Sequence, residues 1–388
     1  MGDMGGYERL KSAIDGYFVD GSTALTERSW QQSSVVYASA GRLALELRHI
    51  FDRSPLVAGC SSELVEPGAY ASRSVAGTPL LLVRQQDRSL RCFLNACRHR
   101  GVHVVADGEA GCARRFTCGY HGWTYGDDGA LVGLPNPGAF DDLERSTIGL
   151  AEVPCAERHG LVFVRRRPGG GPIDLDGFLG PMDAELARAG VSEFVAERRV
   201  TFAAEANWKL LMDGFLETYH VRYLHADSLR DVVWSDRSTY DRFGPHGRLA
   251  VPRRNYDPTS HAGPEDLLAQ LSMARRLFPN TTVTWFADHF ELYQIEPDPV
   301  RPDRSRVHLT LLVPPDEAHR TAKWDTNARL AAAVITGEDF AVAASTQRTL
   351  NLGAAPPTFH YGKNEPGVQH FHEAVVEALA AASSRAPQ

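Results

Sequence analysis

The chain has 388 residues, 43% hydrophobic and 23% charged, which is enough for two or three domains with real cores. Its 41 basic and 48 acidic residues leave a net charge of −7, so the chain carries no electrostatic footprint for nucleic acid. Six cysteines are too few for a disulfide scaffold, yet Cys92, Cys97, Cys112 and Cys118 crowd together among His99, His103 and His121.

Taken in chain order, the opening MGDMGGYERLKSAIDGYF lacks the apolar run of a secretory signal. The longest apolar stretches, 80–83 and 331–335, fall far short of the roughly 20 residues a membrane span needs. A cytoplasmic protein without a membrane partner is expected. Residues 1–50 read mostly as helix. From about 55 to 165 the pattern changes to short β-prone runs. Residues 80–83 and 90–94 form one hairpin, 123–125 and 130–132 a second, and 161–164 a closing strand. The run RRRPGGGP reads as a solvated linker.

Beyond it, 202–224 reads as one helix. Residues 281–286, 289–295 and 306–313 read as antiparallel strands, with Val307, Leu309, Leu311 and Val313 alternating as on a half-buried sheet. Helices at about 325–336, 338–350 and 368–381 follow. The organisation is therefore a helical segment over 1–50 that packs on the last domain, a β-rich domain over 51–165, a linker over 166–172, and an α+β domain over 173–388.

Two constellations carry chemistry. Cys97-Arg98-His99 and Cys118-Gly119-Tyr120-His121 each end a β-prone run and each offer one thiolate and one imidazole. A Rieske 2Fe–2S centre needs two cysteines on one iron and two histidines on the other. A tetrahedral Cys2His2 zinc site is the alternative, but zinc modules usually pair like with like. Cys92 reads as a small buried hydrophobe, Cys112 as a free thiol in a Gly-rich loop, and His103 as a packing or hydrogen-bonding histidine.

The second constellation lies in NWKLLMDGFLETYHVRYLH, which holds Glu217, His220 and His225. Two imidazoles, one carboxylate and open positions form the 2-His-1-carboxylate triad of a non-haem iron. His220 and His225 are about 140° apart on an ideal helix, so they converge only if the helix ends or bulges between them. The carboxylate is sought in Gly337-Glu338-Asp339-Phe340, read as a helix start.

These motifs resemble the catalytic α subunits of Rieske non-haem iron oxygenases. The resemblance runs from about 50 to 380 and takes in CRHRG, CGYHGW, NWK, the E-x2-H-x4-H run, Gln347-Arg348 and the terminal EPGVQHFH. It implies an α+β fold class, with an N-terminal β-rich Rieske domain followed by a helix-grip (START-like) catalytic domain on an antiparallel sheet. It further implies that Cys97, His99, Cys118 and His121 hold the cluster. His220, His225 and Asp339 would then hold a mononuclear Fe(II), with Glu338 the alternative to Asp339.

Glu217, where many members have Asp, would link the cluster of one subunit to the iron of its neighbour in a head-to-tail trimer, and its longer side chain is similar to the branch acting on quaternary amines. Asp213 would support the ligands from behind. Dioxygen would be the co-substrate, with electrons from a reductase or ferredoxin and NAD(P)H serving only indirectly. The substrate would be a small aromatic compound or a quaternary amine, hydroxylated or demethylated beside Trp285, Phe286, Phe290 and Tyr293, which read either as a cation-binding aromatic box or as core packing. Arg98, Arg100, Arg114 and Arg115 would form a landing patch for an acidic donor. A Rieske electron carrier and a zinc interaction module are the rival readings.

Overall fold

A computed structural model describes residues 4–259 and 263–383. The chain divides into two compact units, Phe51–Phe178 and the combination of Met1–Ile50 with Leu179–Gln388. The change of unit thus falls at Phe178, past the RRRPGGGP run and not within it. Nor is that run wholly solvated. The Arg166 side chain is buried, 2.6 Å from Asp52 and donating to the Ala76 carbonyl at 2.6 Å. Glycine and proline mark irregular backbone, which here is irregular without being exposed.

In the smaller unit, strand Thr78–Arg84 lies between Ala69–Val75 and Leu90–Leu94 in a five-stranded sheet, so the first expected hairpin is present. Thr124–Gly126 pairs with Leu131–Gly133 in a three-stranded sheet, and Leu161–Val164 sits between Cys155–Arg158 and Leu56–Cys60. Phe93, Phe116, Trp123 and Tyr125 pack with Cys97 and Cys118 in one apolar cluster.

The larger unit is built on a seven-stranded antiparallel sheet in the order Val195–Ala204, Ser305–Val313, Phe290–Pro297, Thr281–Trp285, Leu271–Leu277, His246–Pro252, Thr239–Phe243. The expected helix over 202–224 is replaced by the end of the first of these strands, a helix at Trp208–Phe215 and a single turn at Val221–Leu224. Strand Val195–Ala204 is half-buried on both faces, so no two-residue alternation announces it. Strand Ser305–Val313 departs from expectation in the other direction. His308, Thr310 and Leu312 are buried as well as the alternating apolar set, because Thr201 hydrogen-bonds His308 at 2.8 Å and Arg199 donates to Thr310 at 3.2 Å.

Only part of 1–50 is helical. Helix Met4–Asp20 places Tyr7, Leu10 and Ile14 at helical spacing against Ala250, Leu271 and Met273. Strand Trp30–Ser33 then pairs with Thr358–Tyr361, and helix Ala40–Glu46 runs into a π-helical turn. Near the C-terminus, helices Thr321–Val334 and Phe340–Asn351 are joined by a π-helical turn at Ile335–Asp339, and helix Pro366–Ser383 closes the unit. Among the described residues, no helix is long and apolar enough to cross a membrane.

Candidate metal centres and their cavity

The two Cys–His loops are built alike. In each, the cysteine N–H donates to a carbonyl five residues on (Cys97 to Val102, Cys118 to Trp123, both 2.8 Å) and its carbonyl accepts from a glycine four residues on. Those glycines, Gly101 and Gly122, have φ of +77° and +73°, which is why each loop needs a residue without Cβ there. The His99 and His121 rings lie 4.5 Å apart between centroids, and His99 stacks on Trp123 at 5.0 Å. Cys97 Sγ lies 3.2 Å from the Tyr125 hydroxyl, which also accepts from the Arg98 N–H at 2.9 Å. Burial, then this contact, hold Tyr125 above its ordinary pKa, so it remains a donor.

His99 Nδ1 is buried without a hydrogen-bond partner among the described residues, as a nitrogen reserved for a metal would be. A single zinc would draw its donors to about 2.0–2.3 Å from one point. The two loops bring their imidazoles side by side, 4.5 Å between ring centroids, with Cys97 and Cys118 buried in the same cluster. Two thiols and two imidazoles, one of each from either loop, suit a 2Fe–2S group with two sulfur and two nitrogen ligands. The neighbours divide as follows. Cys92 is fully buried, and burial pushes its thiol up. Cys112 is exposed on edge strand Ala110–Cys112, not in a loop. His103 is exposed, not packed.

His220 and His225 bracket the one-turn helix Val221–Leu224, at its N-cap and C-cap. The helix that would have held them 140° apart is therefore interrupted. Asp339 Oδ1 lies 3.5 Å from His220 Nε2 and 3.2 Å from His225 Nε2. Glu338 and Asp339 stand in the π-helical turn and not at a helix start, and the two carboxylates face opposite sides of His225: Asp339 meets Nε2, while Glu338 meets Nδ1 at 2.5 Å and accepts from Ser228 at 2.9 Å. Glu217 contacts His220 Nδ1 in the same way and accepts the His220 N–H at 3.1 Å. Burial works against a charged His225, but Asp339 and Glu338 hold its pKa above the ordinary value.

Asp213 accepts from Tyr37 at 2.7 Å and lies 2.9 Å from His372 Nε2. The NWK run anchors the site: Asn207 caps its helix, and its own N–H donates to Gln347 at 2.9 Å, tying it to the helix that follows Asp339. Lys209, fully buried, pairs with Glu46 at 2.7 Å. These last partners, with Tyr37, Tyr361 and Glu365, were not foreseen. Gln347-Arg348 and EPGVQHFH were the signals, and both prove to be hydrogen-bonding: Gln347 accepts from Asn207, His370 meets Tyr240 at 2.8 Å, and Gln369 donates to Gly362 at 2.8 Å.

The triad opens on a cavity of about 430 Å³, whose wall includes Phe215, Val232, Phe286, Tyr293 and Ile335. Of the four aromatic residues expected there, Phe286 and Tyr293 are present and Trp285 and Phe290 are not. Trp285 and Phe290 pair across the hairpin and pack on Phe194 on the other face. Alternation requires this, since positions three apart on a strand, such as 290 and 293, point to opposite faces. A second cavity, about 170 Å³, adjoins His220 and Asp339 and is lined also by Asp213, Glu217, Tyr361 and Glu365. Burial, then repulsion by Glu217 and Asp213, raises Glu365 to about 7.

Mixed Cys–His loops in one unit and a two-histidine, one-carboxylate triad in the other are the paired metal-site designs of the Rieske non-haem iron proteins. Two family descriptions match accordingly: the Rieske [2Fe-2S] domain over residues 55–154 and the ring-hydroxylating alpha subunit catalytic domain over 191–381. The chain therefore carries a Rieske domain followed by a catalytic domain of the ring-hydroxylating alpha subunit type.

The large oxygenase component of a 2,4-dinitrotoluene dioxygenase system from Burkholderia sp. (strain RASC) is 33% identical over 230 residues, 57% of this chain and 49% of its own length. A glycine betaine monooxygenase oxygenase subunit from Chromohalobacter salexigens is 29% identical over 211 residues, 54% and 46% of the two chains. The chain thus spans about half the length of the curated relatives it matches. Among solved structures, the quaternary ammonium Rieske monooxygenase CntA superposes with a TM-score of 0.78 at 22% identity, over 91% of this chain and 96% of that one. Naphthalene 1,2-dioxygenase from Rhodococcus sp. gives 0.75 at 20% identity, over 97% and 98%. These likenesses establish the fold: a Rieske domain and an antiparallel catalytic domain.

Proposed function

We propose that this chain is the terminal oxygenase component of a Rieske system. In this reading Cys97, His99, Cys118 and His121 hold a 2Fe–2S cluster, while His220, His225 and Asp339 hold a mononuclear iron(II). The observation that carries it is the meeting of two imidazole Nε2 atoms and one carboxylate oxygen within 4.8 Å beside a largely apolar cavity. When bound, the two groups supply one-electron relay and dioxygen activation.

The side chains do the rest. With a metal in place of any Nε2 proton, His220 would donate Nδ1–H to Glu217 and His225 to Glu338, and these contacts would fix each ring's direction. The apolar wall excludes water from the substrate. Glu217 serves as the link between His220 and a cluster histidine of a neighbouring subunit in a head-to-tail trimer; its contact with His220 and its place on both cavities support this. Arg98, Arg100, Arg114 and Arg115, all exposed, receive an acidic reductase or ferredoxin, with NAD(P)H acting only through that donor. The substrate is a small aromatic compound or a quaternary amine, hydroxylated or oxidatively demethylated, as the names of the relatives suggest. A cytoplasmic setting is part of the same proposal.

A Rieske electron carrier is the reading to exclude, and iron counting does so. The oxygenase should hold one iron beyond the cluster pair, and Asp339→Ala should lose that iron while keeping the Rieske absorbance. An Asp339→Ala protein that retains all its iron would refute the triad. Glu217→Gln keeps shape and loses charge; full coupled turnover in that variant would remove the bridge.

A further inference from the structure

Away from the triad and Glu217, the wall of the larger cavity carries one carboxylate and two basic side chains: Glu291, Arg253 and His289. Two of these already have charge partners, although His289 Nε2 is buried without a hydrogen bond among the described residues. One Glu291 oxygen accepts from the Tyr293 hydroxyl at 2.5 Å, and the other lies 3.6 Å from His289 Nε2. His289 Nδ1 meets Asp288 at 2.6 Å, and Asp288 is also paired with Lys323 at 2.9 Å. Lys323 also pairs with Glu317 at 2.8 Å, so each of these carboxylates has a cation beside it. Arg253 has no counterpart. Its backbone N–H donates to Gln270 at 2.8 Å, but among the described residues no carboxylate or other acceptor meets its half-buried guanidinium.

Two further groups point to the same ligand. Val251 stands in register with Ser272, and Ala274 with Thr284, and all four line the cavity from one sheet face. Arg253 follows Val251 by two positions and shares that face. Ser272 and Thr284 are each only 9% exposed, and their hydroxyl oxygens are buried without a partner among the described residues. Unpaired buried hydroxyls are costly to leave, and a cation without a counter-ion beside them adds a charge to be met.

We propose that Arg253, with the Ser272 and Thr284 hydroxyls, receives a carboxylate of the substrate, so that the substrate is an organic acid whose apolar body lies against Val232, Phe286 and Ile335. This rests on the oxygenase reading above and names its substrate class. A guanidinium offers two parallel N–H donors matched to a carboxylate, and the hydroxyls complete the acceptor's remaining lone pairs. The same anion can belong to an aromatic acid or to the acid end of a trimethylammonium compound.

Equilibrium binding to the iron-loaded protein under argon, by calorimetry, tests this with matched pairs. Phenylacetate and 3-phenylpropionate are compared with their amides, and γ-butyrobetaine with its amide. At least one acid should bind tenfold or more tightly than its amide, and the arm in which this occurs identifies the body. Arg253→Gln should remove that tenfold preference while leaving amide binding within about twofold. Arg253→Lys should restore part of it, and Ser272→Ala with Thr284→Val should lose less than Arg253→Gln.

The proposal is overturned if no acid outbinds its amide tenfold, or if Arg253→Gln leaves acid binding unchanged. Iron content of the same preparations separates the two failures. Protein with its mononuclear iron but no acid preference refutes only the carboxylate site, whereas protein that cannot hold that iron refutes the oxygenase reading itself.

Discussion

Replacing Glu338 isolates the contribution of a carboxylate that, in the proposed triad, supports a ligand without touching the iron. Its Oε2 lies 2.5 Å from His225 Nδ1, and the His225 side chain is 2% exposed, so Glu338 is the near acceptor that fixes a buried imidazole. Hydrogen-bonding to His225 also holds Glu338 below the usual carboxylate range, as a charge-assisted bond should. Partners of this kind are worth about 10–100-fold in metal affinity, or about 1.4–2.7 kcal/mol. The Glu338 side chain is 31% exposed, which screens its charge and favours the lower end for Glu338→Gln, about tenfold.

Glu338→Ala removes the acceptor as well and should approach about 100-fold. Ser228→Ala deletes one hydroxyl hydrogen bond to the same carboxylate oxygen and, acting only through Glu338, should cost about 1 kcal/mol or roughly fivefold. Anaerobic competition with a chelator, following mononuclear iron while monitoring the Rieske absorbance, reads all three. An Ala variant that binds iron within about twofold of the parent would refute the role, as would an order in which Ser228→Ala loses more than Glu338→Ala.

Burial, then Arg276 and Arg242, press His370 down to about 3, so it is neutral when folded and titrates near 6.5 when unfolded. The unfolded chain therefore binds the extra proton; the stability it confers is complete above about pH 6.5 and is lost as pH falls toward 3, by up to about 1.4 kcal/mol per unit. His370→Gln should flatten that slope in urea unfolding between pH 7 and 5.5, and equal slopes would count against it. Lys209→Met leaves Glu46 buried with only Arg42 and Trp208 as partners and should destabilise by about 3 kcal/mol; thermal unfolding unchanged from the parent would contradict this. If the four exposed arginines around the cluster loops receive an acidic donor, reduction by that donor should slow steeply between low and high salt, and a salt-independent rate would remove the patch.

Both candidate metal sites stand out in the sequence because metal ligands must be particular residue types at short separations. Cys97, His99, Cys118 and His121 lie on two such loops, down to the glycine that follows each cysteine by four. The site as a shape was less legible. Asp339 looked like a helix start because a π turn leaves no mark that a cap would not also leave. Trp285 and Phe290 were placed on the wrong face although alternation already separated 290 from 293. Arg253 gave no signal at all: an isolated arginine just past a strand is ordinary, and only the positions of every carboxylate around it reveal that it has none. The strand at Val195–Ala204 was missed for a related reason, since a strand half-covered on both sides has no period for the eye to find.

The π turn at Ile335–Asp339 has a consequence for how this site can change. It separates one helix, whose Leu330, Ala331 and Val334 shape the cavity, from another whose Gln347 is moored to Asn207. A turn that already departs from α-helical register can absorb a slip or rotation of the upstream helix. Cavity shape can therefore be remodelled through residues before 335 while Asp339 keeps its aim, so that selection for new substrates and preservation of the metal act on opposite sides of one five-residue joint.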